Sequence, residues 1–229
     1  MHFTSRPGLC GNVDGETVMI GRTGERGRTW QGSLNGREQR EIECVEGPTH
    51  VRLRVRGGHV SDVSARVARA FPAASGQVTE LGRVPAREAA SYLLALAERS
   101  AGRDVGGGGI FSATLADSVD TSRQLLRIAR NDAAGDEARS AAVFWLGQQA
   151  GDAATKGLVG LVDDDEQTRA LREAAVFSLS RRPREESVPE LIRIARTHRD
   201  GHIRKAALFW LGQSGDPRAV ALFEEILRN

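Results

Sequence analysis

Residues 141–148 read Ala-Ala-Val-Phe-Trp-Leu-Gly-Gln, and residues 206–213 read Ala-Ala-Leu-Phe-Trp-Leu-Gly-Gln. Between them Ala174-Ala175-Val176-Phe177-Ser178-Leu179 forms a third copy, so the motif recurs at offsets of 33 and 32 residues. After each copy comes a break and a second helical stretch: 153–161, 188–196 and 217–227. Gly147 and Gly212 stop the first helix; Asp152 and Asp216 then stand where N-caps stand, with Pro217 at the first helical position. The middle copy departs, with Ser180-Arg181-Arg182-Pro183 in place of the Gly-Gln turn. Two helices and a short turn at this period predict an α-solenoid, in which each helical pair buries its apolar faces against its neighbours. In Ala-Ala-Val-Phe-Trp-Leu almost every helical face is apolar, which fits a helix sandwiched between neighbours better than one lying on a surface. Phe144, Trp145, Phe177, Phe209 and Trp210 are therefore assigned to the repeat core, with the alanines permitting close approach. An exposed aromatic stripe through Trp145 and Trp210 is the alternative.

The Ala-Ala-Val-Phe-Trp-Leu-Gly core with a downstream Gly-Asp resembles the HEAT-repeat family, including its bacterial subset with phycobilin-lyase-like repeats. The resemblance covers 135–229 strongly and 85–130 weakly. It implies a right-handed stack with its first helices on the convex side and its second helices lining a concave, partner-binding groove. It is almost silent on activity, because the fold hosts scaffolds, inhibitors, lyase subunits and base-excision enzymes.

Upstream the texture changes. Val51-Arg52-Leu53-Arg54-Val55-Arg56 alternates with period two and ends at Gly57-Gly58, a hairpin signal; His59–Val63 is the returning strand. The pair predicts a ribbon with one arginine-lined face. Val18-Met19-Ile20 and Ile42-Glu43-Cys44 are two further apolar bursts, and Gly21, Gly24, Gly27, Gly32 and Gly36 suggest long loops around Trp30, read as a core anchor. Pro72, Ser75, Gly76 and Gly82 interrupt 67–84. From Pro85 the period becomes 3.6, with helices over 87–97 and 122–130 separated by Gly106–Gly109, read as a flexible spacer. Leu125–Arg130 echoes Leu191–Arg196 two periods on, so 86–130 reads as a degenerate fourth pair. The expected organisation is a small antiparallel β module over 1–66, a transitional segment over 67–84, and a HEAT-like α-solenoid of about four helical pairs over 85–229.

Cys10 and Cys44 are the only cysteines. A bridge between them would staple a module of thin apolar content and place the chain in a periplasmic or secreted setting. Two reduced thiols in the cytoplasm are the alternative. No basic, then apolar, leader is visible at the start, and no stretch approaches the 18 apolar residues of a membrane span.

The formal charge is only +2. Residues 1–84 carry 12 basic and 9 acidic side chains, and 85–229 carry 20 and 21, so neither part has the basic excess of a nucleic-acid footprint. No phosphate loop follows Gly106–Gly109, no nucleophile elbow is present, and Asp163-Asp164-Asp165-Glu166 lacks the spacing of a calcium loop. His198 and His202 flank Asp200-Gly201 and read as solvated turn residues. His2, His50 and His59 with the two cysteines match no metal-ligand spacing. No catalytic residue, metal or cofactor is expected. The functional candidates are Arg127, Arg130, Arg193 and Arg196: each pair is three apart on a second helix, and the two pairs are 66 residues apart. If second helices line a groove, these arginines would form a ladder for an acidic peptide or carboxylates; salt bridges to neighbours such as Glu190 are the alternative. The leading reading is a non-catalytic protein-interaction scaffold or adaptor that binds a protein or peptide. A nucleic-acid-binding or base-excision enzyme and a lyase-type cofactor-handling subunit are the other classes. The N-terminal ribbon would bind with the solenoid or cap its first repeat, and Glu224, Glu225, Arg228 and Asn229 would make the last helix a polar cap.

Overall fold

The computed structural model describes residues 1–11, 18–20, 45–100 and 102–228. The chain divides into two compact units, 1–119 and 120–229. The first contains β1 (His2–Phe3), β2 (Leu9–Gly11), β3 (Val18–Ile20), β4 (Val45–Glu46), β5 (Thr49–Arg56), β6 (His59–Val67), α1 (Ala86–Glu98) and α2 (Arg103–Thr114). They form two antiparallel sheets, ordered β1-β5-β6 and β3-β2-β4.

The period-two stretch is the heart of β5, paired with β6 from Thr49↔Val67 to Arg56↔His59. Gly57 and Gly58 have φ of 56° and 78°, the left-handed pair that a tight two-residue hairpin needs. The arginine-rich ribbon has a use within the fold: the guanidiniums of Arg52 and Arg66 lie 4.3 and 5.1 Å from the Phe71 ring centre.

The glycine run at 106–109 is not a spacer but the middle of α2. A Cβ on Gly108 would sit 2.2 Å from the carbonyl oxygen of Val63, and one on Gly109 would sit 3.0 Å from that of Leu93. These glycines let α2 lie directly on β6 and α1, where Val63, Val67, Leu93, Leu94 and Ile110 are buried. Tertiary packing therefore overrides a helix penalty of about 1 kcal/mol per glycine. Hydrogen bonds from His2 N to Gly82 O and from Val84 N to His2 O tie the approach to α1 onto β1. Both α1 and α2 fall within the first unit, whereas the sequence reading groups them with the repeats.

The second unit contains α3 (Ser122–Arg130), α4 (Asp136–Gly147), α5 (Asp152–Val162), α6 (Arg169–Ser180), α7 (Arg184–Thr197), α8 (Gly201–Ser214) and α9 (Pro217–Arg228). α4, α6 and α8 pack side by side as one layer, and α3, α5, α7 and α9 as the other. Across the layers α3 meets α4, α5 meets α6, and α7 meets α8, giving the expected α-solenoid. Caps the sequence reading did not assign start two helices: Thr168 Oγ1 accepts from Leu171 N, and Asp200 accepts from His202 N.

The buried rows are Ala138, Ala142, Val143 and Leu146 on α4, Leu171, Ala175, Val176 and Leu179 on α6, and Ile203, Ala207 and Leu211 on α8. Leu158, Leu161, Leu191, Ile194 and Leu222 fill the space from the second layer. The expected core role of the aromatic residues does not hold as stated. Phe144 and Phe209 are 42% and 58% exposed, and Trp145, Phe177 and Trp210 are half-buried. Alanine at the inner positions brings the helices so close that the larger rings are left on the outer edge.

Candidate binding faces of the helical repeats

The four arginines lie on α3 and α7, in the second layer. Arg127 and Arg130 are exposed, and the Arg130 guanidinium lies over α5, where a Cβ on Gly160 would be 3.1 Å away. Arg193 donates to Asp163 on the α5 side at 2.9 Å and to Glu190 of its own helix at 2.8 Å. Arg196 is paired with Glu225 of α9. Burial works against the charge on Arg193, yet its bonds to Glu190 and Asp163 outweigh that and hold its pKa above the ordinary arginine value. Arg193 and Arg196 are thus ion-paired within the layer, to Glu190 of the same helix, to Asp163 just after α5 and to Glu225 of α9. Glu190 is the acid the sequence reading had named as an alternative partner.

On the first layer the aromatic residues form an edge. Phe144 meets Trp145 edge-on at 5.2 Å. Phe177 of α6 reaches Trp210 of α8 at 4.9 Å, and Trp210 meets Phe209 at 4.9 Å. Ser178 occupies the place of tryptophan in the middle repeat, where a Cβ on Gly147 would lie 3.0 Å from it; a tryptophan there would push α4 and α6 apart. Ala141, Ala174 and Ala206 lie one helical turn before the three phenylalanines and are half-buried, so the edge is low and apolar. The exposed rings are Phe144 and Phe209, whereas Trp145 and Trp210, through which an exposed stripe was expected to run, are half-buried.

A second set of arginines escaped the sequence reading. Arg139, Arg172 and Arg204 precede the Ala-Ala pairs by two residues in all three copies. Arg139 is buried, donating to Ala129 O and, at 2.6 Å, to Gln167 of the next inter-repeat loop. Arg172 is 3.2 Å from Asp200 of the loop after that. Arg182 is buried between α4, α5 and α7, with bonds to Gln149 O, Gly151 O, Thr155 and Glu186. The guanidiniums of Arg139 and Arg182 reach carbonyls near helix ends, whereas that of Arg172 meets carboxylates.

Residues 165–229 match the family model for HEAT repeats. This stretch is a HEAT-repeat domain. It runs from the loop before α6 to the end of the described chain, so Phe177, Phe209, Trp210 and the Arg172–Asp200 pair all lie within the HEAT-repeat domain. No curated protein and no solved structure matches the chain.

Within that domain His198 is buried rather than solvated. Its Nδ1 accepts from Asp200 N at 3.1 Å, which leaves Nε2–H to donate to Val162 O at 3.1 Å; His202 is exposed. Among the described residues no cluster of three or more His, Cys, Asp or Glu could hold a metal ion, and no helix is long and apolar enough to cross a membrane.

Asp216 caps α9 as expected, accepting from Arg218 N at 2.9 Å, and the Arg218 side chain grips both its oxygens. Those bonds hold its pKa at about 2, below the ordinary carboxylate value of 3.8. A depressed carboxylate stabilises the fold fully above about pH 4 and loses that contribution as pH falls through about 2. Asp216→Asn retains a capping side chain without the charge. In thermal unfolding followed by circular dichroism, the variant should therefore show a shallower fall in Tm between pH 4 and pH 2 than the parent chain. Parallel curves over that range would remove Asp216 from the acid response.

Proposed function

We propose that this chain is a non-catalytic binding scaffold that holds a protein or peptide partner against the aromatic edge of α4, α6 and α8. The observation that carries the reading is the exposure of Phe144 and Phe209 at equivalent positions, with the half-buried Trp145, Phe177 and Trp210 around them. Single exposed apolar residues are ordinary; aromatic residues repeated at equivalent positions of one helical layer favour a contact surface, since tryptophan and other aromatics anchor interfaces when a partner excludes water from them. An acidic ligand on Arg127, Arg130, Arg193 and Arg196 is the other surface that would serve the same function. To use Arg193 and Arg196, such a ligand must compete with Asp163, Glu190 and Glu225, which favours the aromatic edge.

The test compares partner retention by two double variants in extracts of source cells. Phe144→Ser with Phe209→Ser should abolish retention of a specific partner while keeping the helical signal; the part-buried rings each contribute about 1–3 kcal/mol, so retention is compared well below the lowered Tm. Arg193→Ala with Arg196→Ala should retain the partner. Retention lost in the arginine pair and kept in the phenylalanine pair would reverse the assignment.

We also propose that Cys10 and Cys44 are bridged. Cys10 is buried on β2, whose register with β4 pairs it with Glu46, two residues after Cys44; Cys44 itself lies outside the described residues. Alkylation without reductant should leave the intact mass unchanged, and alkylation after reduction should add two groups. Two groups added without reductant would remove the bridge and the oxidising setting it implies.

A further inference from the structure

We infer that the arginine-lined face of the β5–β6 hairpin binds the phosphate backbone of a single-stranded nucleic acid. The inference concerns the first unit alone and stands without the aromatic-edge reading. It rests on arginines that have no carboxylate partner among the described residues, on their spacing along the strand and on the ring packed beside them.

Residues 49–71 hold five arginines and one acid, Asp62. The near-balanced count over 1–84 averages over this concentration. In β5 the alternation sets Arg52, Arg54 and Arg56 on one face and Val51, which is buried, on the other. Their cross-strand partners in β6 are Ser64, Asp62 and His59. Asp62 accepts from Ser64 Oγ at 2.8 Å, and among the described residues Arg52, Arg54 and Arg56 make no ion pair with a carboxylate. Arg54 and Arg56 are exposed. The second unit treats its arginines differently: Arg193, Arg196, Arg218 and Arg228 are each paired with a carboxylate. There the counter-charge comes from the fold; on the hairpin it is left to a ligand.

Phe71 holds the guanidiniums of Arg52 and Arg66 without cancelling their charge, since a ring attracts a cation only through its quadrupole. Arg52 Nε is buried with no hydrogen-bond partner among the described residues, so packing rather than an acceptor orders this side chain. An ordered guanidinium loses less freedom on meeting an anion, and its planar fork suits phosphate. Alternate residues of a strand stand about 6.5–7 Å apart, so the row offers one charge at each step of an extended polyanion. Nucleic acid carries an anion on every unit whatever its sequence, whereas an acidic peptide would need a carboxylate at each alternate position. A single strand fits better than a duplex because its bases are free to stack on guanidinium planes and on the half-buried Phe71.

The probe is a labelled oligothymidylate of about 12 nucleotides, titrated with the full chain and followed by fluorescence anisotropy at several salt concentrations. Saturable binding is expected, falling with salt at a log–log slope of about −0.7 for each phosphate contacted. Arg54→Gln with Arg56→Gln should weaken binding about tenfold or more near 0.1 M salt and make the slope shallower by about 1.4. Both side chains are exposed, so the circular dichroism of the variant should match that of the parent. Arg228→Gln removes an exposed arginine already paired with Glu224 and should change neither affinity nor slope. Pairing the probe with oligodeoxyadenylate should weaken binding, and polyglutamate should displace the probe only at a charge concentration about tenfold above that of unlabelled oligothymidylate. The inference is overturned if the parent does not bind, or if the Arg54 and Arg56 variant keeps the parent's affinity and slope. It is also overturned if the duplex binds as tightly as the single strand, or if polyglutamate competes at equal charge, which would place an acidic protein on this face.

Discussion

Gly108→Ala should destabilise the first unit by about 2–4 kcal/mol, and Gly107→Ala, one residue earlier in the same helix, should stabilise it by up to about 1 kcal/mol. Intrinsic propensity acts identically at the two positions, favouring alanine by about 1 kcal/mol. What differs is the surroundings. A Cβ at Gly107 meets nothing within 4 Å, whereas one at Gly108 would lie 2.2 Å from Val63 O and 3.1 Å from the carbonyl carbon bonded to it. That neighbour is backbone of β6, locked in the ladder with Leu53, so it cannot swing aside as a flexible side chain would. Relief requires α2 to lift from the sheet, which opens the contact that buries Ile110 and Val67. Urea unfolding of both variants, followed by circular dichroism, measures the difference. Equal shifts in the same direction would mean that α2 does not rest on β6 through its glycines.

Arg182→Met should destabilise the second unit by about 2–4 kcal/mol, although it replaces one long side chain by another of similar reach. The Arg182 side chain is only 5% exposed, and its guanidinium serves Gln149 O, Gly151 O, Thr155 and Glu186 at once. Methionine fills part of the volume but leaves two carbonyls near the end of α4 and the start of α5 without that donor. Arg228→Met is the control. Arg228 is 77% exposed and its pair with Glu224 is an i,i+4 surface contact, so a change below about 0.5 kcal/mol is expected. If the two variants unfold at the same urea concentration, the buried arginine is not a strut of the array.

The repeat was legible in the sequence because period and helix type are local properties. Three Ala-Ala-Φ-Phe cores at 33 and 32 residues placed α4 to α9 before any side chain was positioned, and the alternation of Val51–Arg56 placed the hairpin. Which apolar residue faces inward was not legible. When Ala-Ala-Val-Phe-Trp-Leu is apolar on every face, the hydrophobic pattern no longer indicates the buried one, so Phe144 and Phe209 read as core although they are exposed. The glycine run failed for a different reason. Four glycines locally favour a break, and only the approach of β6 and α1, distant in sequence, makes them the residues that fit. His198 was missed similarly, since nothing near it in sequence announces Val162 O as a partner.

One further regularity is present in the sequence. Arg139, Arg172 and Arg204 keep the repeat's own offsets, a pattern as regular as that of the phenylalanines, and Gln167 ahead of α6 and Asp200 ahead of α8 complete the first two rungs. Arg127, Arg130, Arg193 and Arg196, on α3 and α7, skip alternate repeats. The intervening helix contributes Asp163, and the following one contributes Glu225 to the pair with Arg196.

The claim that a partner lies against the aromatic edge is tested most directly by site-specific photo-crosslinking in source cells. A photoreactive phenylalanine analogue is placed at position 144, at 209 or at 127, one at a time, in the full chain. The account predicts one crosslinked protein partner shared by positions 144 and 209 and none from position 127. Crosslinks from position 127, with none from 144 or 209, would contradict it and place the partner on the arginine face.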